Sequence, residues 1–353
     1  MSLVRRRSSL AIAALGAAFA MVTTTACSGG ASDVVGGGVP ATGATDAAAG
    51  SGGTINLYAY AVPKPGFDKV IPAFTATAAG KGVTFQQSYG ASGDQSRKVA
   101  AGATADFVNF SVEPDVTRLV DAGLVDKGWN AGQYQGIPFG SVVTIVVRKG
   151  NPKGIKDWDD LLKPGVNVVT PNPFSSGSAK WNLLAPYTAK SDGGKNPQAG
   201  LDYVSALVKD HVTTQPKSGR EASDTFLQGT GDALISYENE ATFLERDGDP
   251  VEHITPITTF KIENPAAVIK TSANLKVATA FNDYLYTKEA QTLLAQAGFR
   301  VVDQAVAKEF ASSFPTPTKL WTIDDLGGWK TVDKALFGKD TGTIATIYDA
   351  ATK

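Results

Sequence analysis

From Thr54 onward the chain alternates short apolar runs with amphipathic stretches, separated by loops rich in glycine, serine and proline. Thr54-Ile55-Asn56-Leu57-Tyr58-Ala59-Tyr60 alternates residue by residue and is rich in strand formers, which predicts a strand. A Pro/Gly loop follows, then a helical pattern over about 67–79, a second strand over 83–88, and the loop Tyr89-Gly90-Ala91-Ser92-Gly93-Asp94. A helix over 95–101, a strand over 106–110 and a helix over 115–122 extend the same order. This βαβαβ succession predicts a parallel, doubly wound α/β sheet. In such sheets ligands sit beyond the carboxyl ends of the strands, in the loops that lead into the helices.

Ser141 to Arg148 is the most apolar strand pattern, and Lys149-Gly150-Asn151-Pro152 ends it. A second α/β unit then opens with a capped helix over 157–162 and contains an apolar run, Val166 to Val169. A helix over 198–209, a strand over 212–215, a helix over 222–228 and a strand over 232–237 come next. Further on, Ala266 to Lys270 reads as a strand, and the phasing of Leu, Phe and Tyr over 275–286 and 288–297 predicts two amphipathic helices. The tail after Leu320 holds Trp321, Trp329 and Tyr348, enough apolar surface to dock on the rest.

Composition narrows the function classes. A chain of 353 residues exceeds what one core usually organises, so two domains are expected. The net charge of −1 supplies no basic surface for nucleic acid. With a single cysteine, Cys27, no internal disulfide can form. The two histidines, His211 and His253, lack metal-ligand spacing, so neither a metal centre nor Ser-His catalysis is expected.

The first residues read as an address. Arg5-Arg6-Arg7 forms a basic segment, and the apolar run Leu10 to Val22 is short for a bilayer span. Thr23-Thr24-Thr25-Ala26-Cys27 follows, and the whole resembles a bacterial lipoprotein signal peptide, with Thr24 where leucine is usual. That resemblance implies cleavage after residue 26 and a lipid on Cys27. The arginines also loosely resemble a twin-arginine export signal, so the export route stays open. Residues 27–53 are Gly, Ala, Ser, Thr and Val with almost no charge, a composition that suits a flexible tether.

The candidate chemistry lies in Thr170-Pro171-Asn172-Pro173-Phe174-Ser175-Ser176-Gly177-Ser178-Ala179-Lys180-Trp181-Asn182. A strand, a Ser/Gly turn and a helix start gather backbone N–H groups that lack intrahelical acceptors, at the positive end of a helix dipole. A merely capped helix would read the same way. Ser92-Gly93 and Gly219-Arg220 repeat the pattern in two other loops. Neutral donors of this kind suit a fully ionised, acceptor-only ligand, each hydrogen bond to a charged group contributing roughly 1.5–3 kcal/mol. No nucleophile–base spacing, Gly-x-Gly-x-x-Gly or phosphate-loop lysine is present. An extracellular transferase or hydrolase would have to work through Glu238 or Asp94.

Val147-Arg148-Lys149-Gly150-Asn151-Pro152, the Thr170–Asn182 stretch, Gly231-Asp232-Ala233-Leu234-Ile235-Ser236-Tyr237-Glu238-Asn239-Glu240 and Gly327-Gly328-Trp329 together resemble the sulfate-binding proteins of ABC importers. The resemblance runs from about Thr54 to the C-terminus. It implies a two-lobed periplasmic-binding-protein fold (type II) with residues 54–144 and 257–310 in one lobe, 145–256 in the other, and the tail 311–353 packing on the second. It implies a non-catalytic, monomeric protein on the outer face of the membrane. Such a protein captures dehydrated sulfate and delivers it to an ABC permease, without cofactor or metal.

Carried over by motif, Ser92 gives a hydroxyl. Ser176, Gly177 and Ser178 give backbone N–H groups, with the Ser176 hydroxyl added. Gly219 and Ala61 each give an N–H, and Arg220 braces the loop behind Gly219. Tyr237 stands where the family usually has a tryptophan donor. Because related molybdate-binding proteins use a tyrosine, thiosulfate and molybdate stay open beside sulfate. Asp94 stands where a lysine is common. It is either a carboxylate favoured by the helix dipole or an acceptor for the proton of hydrogen phosphate.

Overall fold

The computed structural model describes residues 52–351. The leader, the lipidation site Cys27 and the tether as far as residue 51 lie outside the described residues.

The chain opens with β1 (Gly53–Tyr60), α1 (Lys64–Ala76), β2 (Val83–Gly90), α2 (Ser92–Ala100), β3 (Phe107–Asn109) and α3 (Glu113–Asp121). It continues with β4 (Phe139–Arg148), β5 (Val168–Val169), α4 (Gly177–Ser191), α5 (Pro197–Ala206), β6 (Val212–Thr214), α6 (Gly219–Leu227), β7 (Ala233–Tyr237), α7 (Glu238–Asp247) and β8 (Val251–Ile254). The remainder includes β9 (Thr258–Asn264), β10 (Ala266–Val268), α8 (Leu275–Tyr284), α9 (Lys288–Gln296), β11 (Arg300–Val301), β12 (Lys319–Trp321) and the last helix, Thr343–Ala351.

These strands build two sheets. One has four strands in the order β10-β3-β1-β2, with β1 parallel to β2 and β3 and with β10 antiparallel to β3. The other runs β12-β9-β4-β7-β5-β6, with β8 and β11 also on β4. Residues 139–142 of β4 pair with β9, and residues 143–147 pair with β7. Phe139 belongs to the core under the smaller sheet, whereas Val143, Ile145 and Val147 belong to the core of the larger one. This strand therefore carries the chain from one core to the other, and its near-continuous apolar sequence reflects burial on both faces.

α1 shows how the smaller core is made. Phe67, Val70, Ile71 and Phe74 recur at helical spacing and are all buried. Phe281 of α8 is the hub they meet, with ring centroids 4.9 Å from Phe85, 5.1 Å from Phe74 and 5.2 Å from Phe107. Sequence periodicity started α1 near Phe67; the helix begins at Lys64, because Pro65 in its first turn has no N–H to leave unpaired. The expected helix over 157–162 is a 3-10 turn held by an Asp157/Asp160 capping box. In the tail, β12 adds in parallel to β9, and Trp329 packs edge-on against Trp181 of α4 at 4.6 Å.

Candidate anion-binding site

Several helices start at the carboxyl ends of strands and point their first turns at one another. Ser92 opens α2, Gly177 and Ser178 open α4, Gly219 opens α6, and Tyr237 caps α7. First-turn N–H groups have no intrahelical acceptor and carry the positive end of the dipole. The glycines show how closely these points approach. A Cβ on Gly177 would lie 2.8 Å from the Ser111 Cβ and 3.0 Å from Val112 Cγ2. One on Gly219 would lie 3.1 Å from Val62 Cγ2 and 3.2 Å from the Ser178 hydroxyl. One on Gly93 would lie 2.9 Å from the Ser175 carbonyl oxygen, which accepts the Gly93 N–H at 3.1 Å. The structure thus gathers the loops carrying Ala61, Ser92, Ser176, Gly177, Ser178, Gly219 and Tyr237.

Tyr237 is the side chain at the centre. It is buried, and its hydroxyl lies 2.7 Å from the Ser111 hydroxyl. Burial raises the phenol well above its ordinary value; hydrogen bonding to Ser111, Ser178 and Asn264 only partly offsets this. Tyr237 therefore keeps its proton at neutral pH and remains a donor. The Ser111 carbonyl accepts from Trp181 Nε1 at 2.8 Å and from Asn264 Nδ2 at 3.2 Å.

Two of the expected donor groups are already bonded within the chain. The Ser92 hydroxyl donates to Asp115 Oδ2 at 2.6 Å and accepts the Ser111 N–H at 2.9 Å. Its proton is directed at the carboxylate, while its backbone N–H stands at the start of α2. The Ser176 N–H donates to the Asn172 carbonyl at 2.9 Å. Its hydroxyl is not used to cap α4, and the residue is buried.

Charged neighbours are paired with one another. Asp94 pairs with Arg97 within α2 and is half exposed. Arg118 donates to Asp115 Oδ1 at 2.9 Å and to Ser96 Oγ at 2.7 Å. Glu238, although buried, is held bidentately by Arg300 at 2.7 and 2.9 Å. Arg220 reaches Glu240 Oε2 at 3.0 Å and stacks over Phe243, which ties the start of α6 to α7. His211 bonds the Val166 carbonyl, and His253 bonds Glu245. Among the described residues no group of His, Cys, Asp and Glu could hold a metal ion. A cavity of about 620 Å³ opens beside the donors, lined by Gly93, Arg97, Arg118, Ser176, Gly177 and Lys180 among others. Ala61 lines a second cavity, of about 470 Å³, with Ser218 and Arg220.

Sequence reading missed Ser111, Asp115 and Asn264. Ser111 lies just beyond the carboxyl end of β3, where the doubly wound rule places ligand contacts, and that rule could have found it. Asp115 and Asn264 reach Ser92 and Ser111 only through tertiary packing.

Two α/β halves around a buried cluster of neutral donors have the architecture of a two-lobed solute-binding protein. The chain belongs to the bacterial extracellular solute-binding proteins, whose family model matches residues 55–300. It is 37% identical over 354 residues to a sulfate-binding protein of Synechococcus elongatus, covering 98% of this chain and 97% of the relative. It is 34% identical to a thiosulfate-binding protein of Pseudomonas aeruginosa, covering 82% and 90%. Among solved structures, the sulfate-binding protein SubI from Mycobacterium tuberculosis is 66% identical, with a TM-score of 0.80, covering 80% of this chain and 99% of that one.

Proposed function

We propose that this chain captures sulfate outside the cytoplasm, strips its water shell between two lobes, and delivers it to an ABC permease. In this reading residues 54–144 and 257–310 form one lobe and residues 145–256 the other, with β4 and β9 as the strands that cross between them and the tail closing on the second. The observation that carries it is that the first turns of α2, α4 and α6 pack together at Gly93, Gly177 and Gly219, with the Tyr237 hydroxyl buried against Ser111 beside Gly177. Donors without counter-charge suit a dianion that needs no proton acceptor, and about six of them offset much of its desolvation. The identities to sulfate-binding relatives support sulfate over other tetrahedral anions. Calorimetry of the chain without its leader tests this. Sulfate should bind tightly and hydrogen phosphate poorly, because its own O–H finds no acceptor. Thiosulfate or molybdate binding more tightly than sulfate would move the assignment to that anion.

Lipid on Cys27 would hold the domain at the outer face of the membrane, and the neutral segment up to residue 53 would give it reach. Cys27→Ala should shift the protein from the membrane fraction to the medium or leave it unprocessed. Unchanged membrane attachment of that variant would remove the lipid anchor from the reading.

A further inference from the structure

A tyrosine is an ambiguous choice for a site that must offer only donors, since its hydroxyl also accepts. In this chain the ambiguity is met by a hydrogen-bonded chain that starts at the surface. Arg118 and the Ser92 hydroxyl both donate to Asp115. The Ser92 oxygen accepts the Ser111 N–H, and the Ser111 carbonyl accepts from Trp181 and Asn264. Ser111 is thus held through both of its backbone polar groups; the side chains of Ser178 and Asn264 also face the phenol, and the Ser111 hydroxyl bonds it directly at 2.7 Å.

We propose that Ser111 is the residue that makes Tyr237 a pure donor, and hence a determinant of selection for fully deprotonated anions; this rests on the sulfate-binding reading above. Of the two hydroxyls sharing this bond, the phenol is the more acidic, so a bound dianion draws the phenol proton toward itself. Ser111 then donates to the phenol oxygen. That orientation occupies a lone pair that could otherwise accept the proton of a protonated anion, and it polarises the phenol as a donor. Asp115 acts one step further back, because it takes the Ser92 proton and so orients the Ser92 oxygen that receives the Ser111 N–H.

The test is calorimetry with sulfate and with inorganic phosphate at about pH 8, where phosphate is mainly a singly protonated dianion. The proteins are the chain without its leader, Ser111→Ala, Tyr237→Phe and the double variant. Ser111→Ala should weaken sulfate by about two- to tenfold, the range of one neutral hydrogen bond. It should leave phosphate unchanged or tighter, so the sulfate-to-phosphate ratio narrows. In the double variant both affinities should match Tyr237→Phe within about twofold, because Ser111 acts through the tyrosine. Ser111→Cys, a weaker donor of similar shape, should narrow the ratio in the same direction. Equal weakening of both anions by Ser111→Ala, or multiplication of the two single effects, would overturn the proposal. Failure of the unmutated chain to bind sulfate would instead remove the reading beneath it, and the proposal with it.

Discussion

Replacing Gly177 by alanine adds one methyl where α4 meets the loop after β3. The new Cβ would stand 2.8 Å from the Ser111 Cβ and 3.0 Å from Val112 Cγ2. Ordinary carbon contacts lie at about 3.5–4.0 Å, so the two surfaces must part by roughly 0.5–1 Å. Opening by that amount stretches the 2.7 Å Ser111–Tyr237 hydrogen bond toward or past the range in which it counts as one. It also moves the N–H groups of α4 away from those of α2. If two donors to the anion lose alignment, the loss is about 3–6 kcal/mol, or two to four decades of affinity. Stability should fall as well, because forcing a buried contact apart costs about 1–3 kcal/mol, offset by up to about 1 kcal/mol from the helix preference of alanine over glycine at a position that is already helical. Calorimetry reads the affinity, urea unfolding the stability, and small-angle scattering with saturating sulfate the closure. An alanine variant that binds sulfate within about twofold of the parent and compacts to the same radius would refute the reasoning.

Arg300→Met should destabilise the chain by about 3–5 kcal/mol in urea unfolding, since it leaves the buried Glu238 carboxylate without its bidentate partner. A loss below about 1 kcal/mol would mean that water or another cation takes its place. Ser92→Ala should lower stability as well as affinity, because it strands the buried Ser111 N–H at a cost of roughly 1–3 kcal/mol. A loss of sulfate affinity alone would instead make the Ser92 hydroxyl a direct ligand. Burial raises the Glu240 carboxyl above its ordinary 4.5, with Arg220 pulling the other way. Its contribution to stability is therefore complete below about pH 4.5 and is lost as pH rises through the higher folded value. Glu240→Gln should flatten that part of the profile in urea midpoints measured from about pH 4 to 8, and parallel profiles for both proteins would contradict the assignment.

Much of the fold was legible because single elements carried their own periodicity. β1 alternates, α1 places Phe67, Val70, Ile71 and Phe74 on one face, and β4 is apolar throughout because both of its faces are covered. β9 also alternates through Phe260 and Ile262 against Lys261 and Glu263, a signal available in the sequence but not used. The loops of the site were legible for a related reason: Ser/Gly turns ahead of helices announce free N–H groups wherever they occur. The assignment of atoms was not. That the Ser92 hydroxyl is bonded within the chain is set by Asp115, 23 residues away in the sequence. Whether Ser176 gives its N–H is decided by the turn back to Asn172. Composition and spacing specify which groups exist; only packing specifies which are already bonded.

The same distinction explains how a site beside several cations can work without ion pairing to its ligand. Arg97, Arg118, Lys180 and the exposed Lys339 line the cavity next to the donors, and a charge count alone would make them the anion's partners. The first three are already paired, with Asp94, Asp115 and Asp333 respectively. Their fields are therefore largely cancelled within a few ångströms, and the half-exposed Arg97 pair is screened further by salt. What remains directed at the centre is fixed geometry: helix dipoles, first-turn N–H groups, and a phenol whose neighbours hold it as a donor. Such groups need little reorganisation when a dianion arrives. They distinguish ligands by the presence of a proton rather than by the amount of charge, and that is the discrimination a charged site could not make between sulfate and a hydrogen phosphate of equal charge.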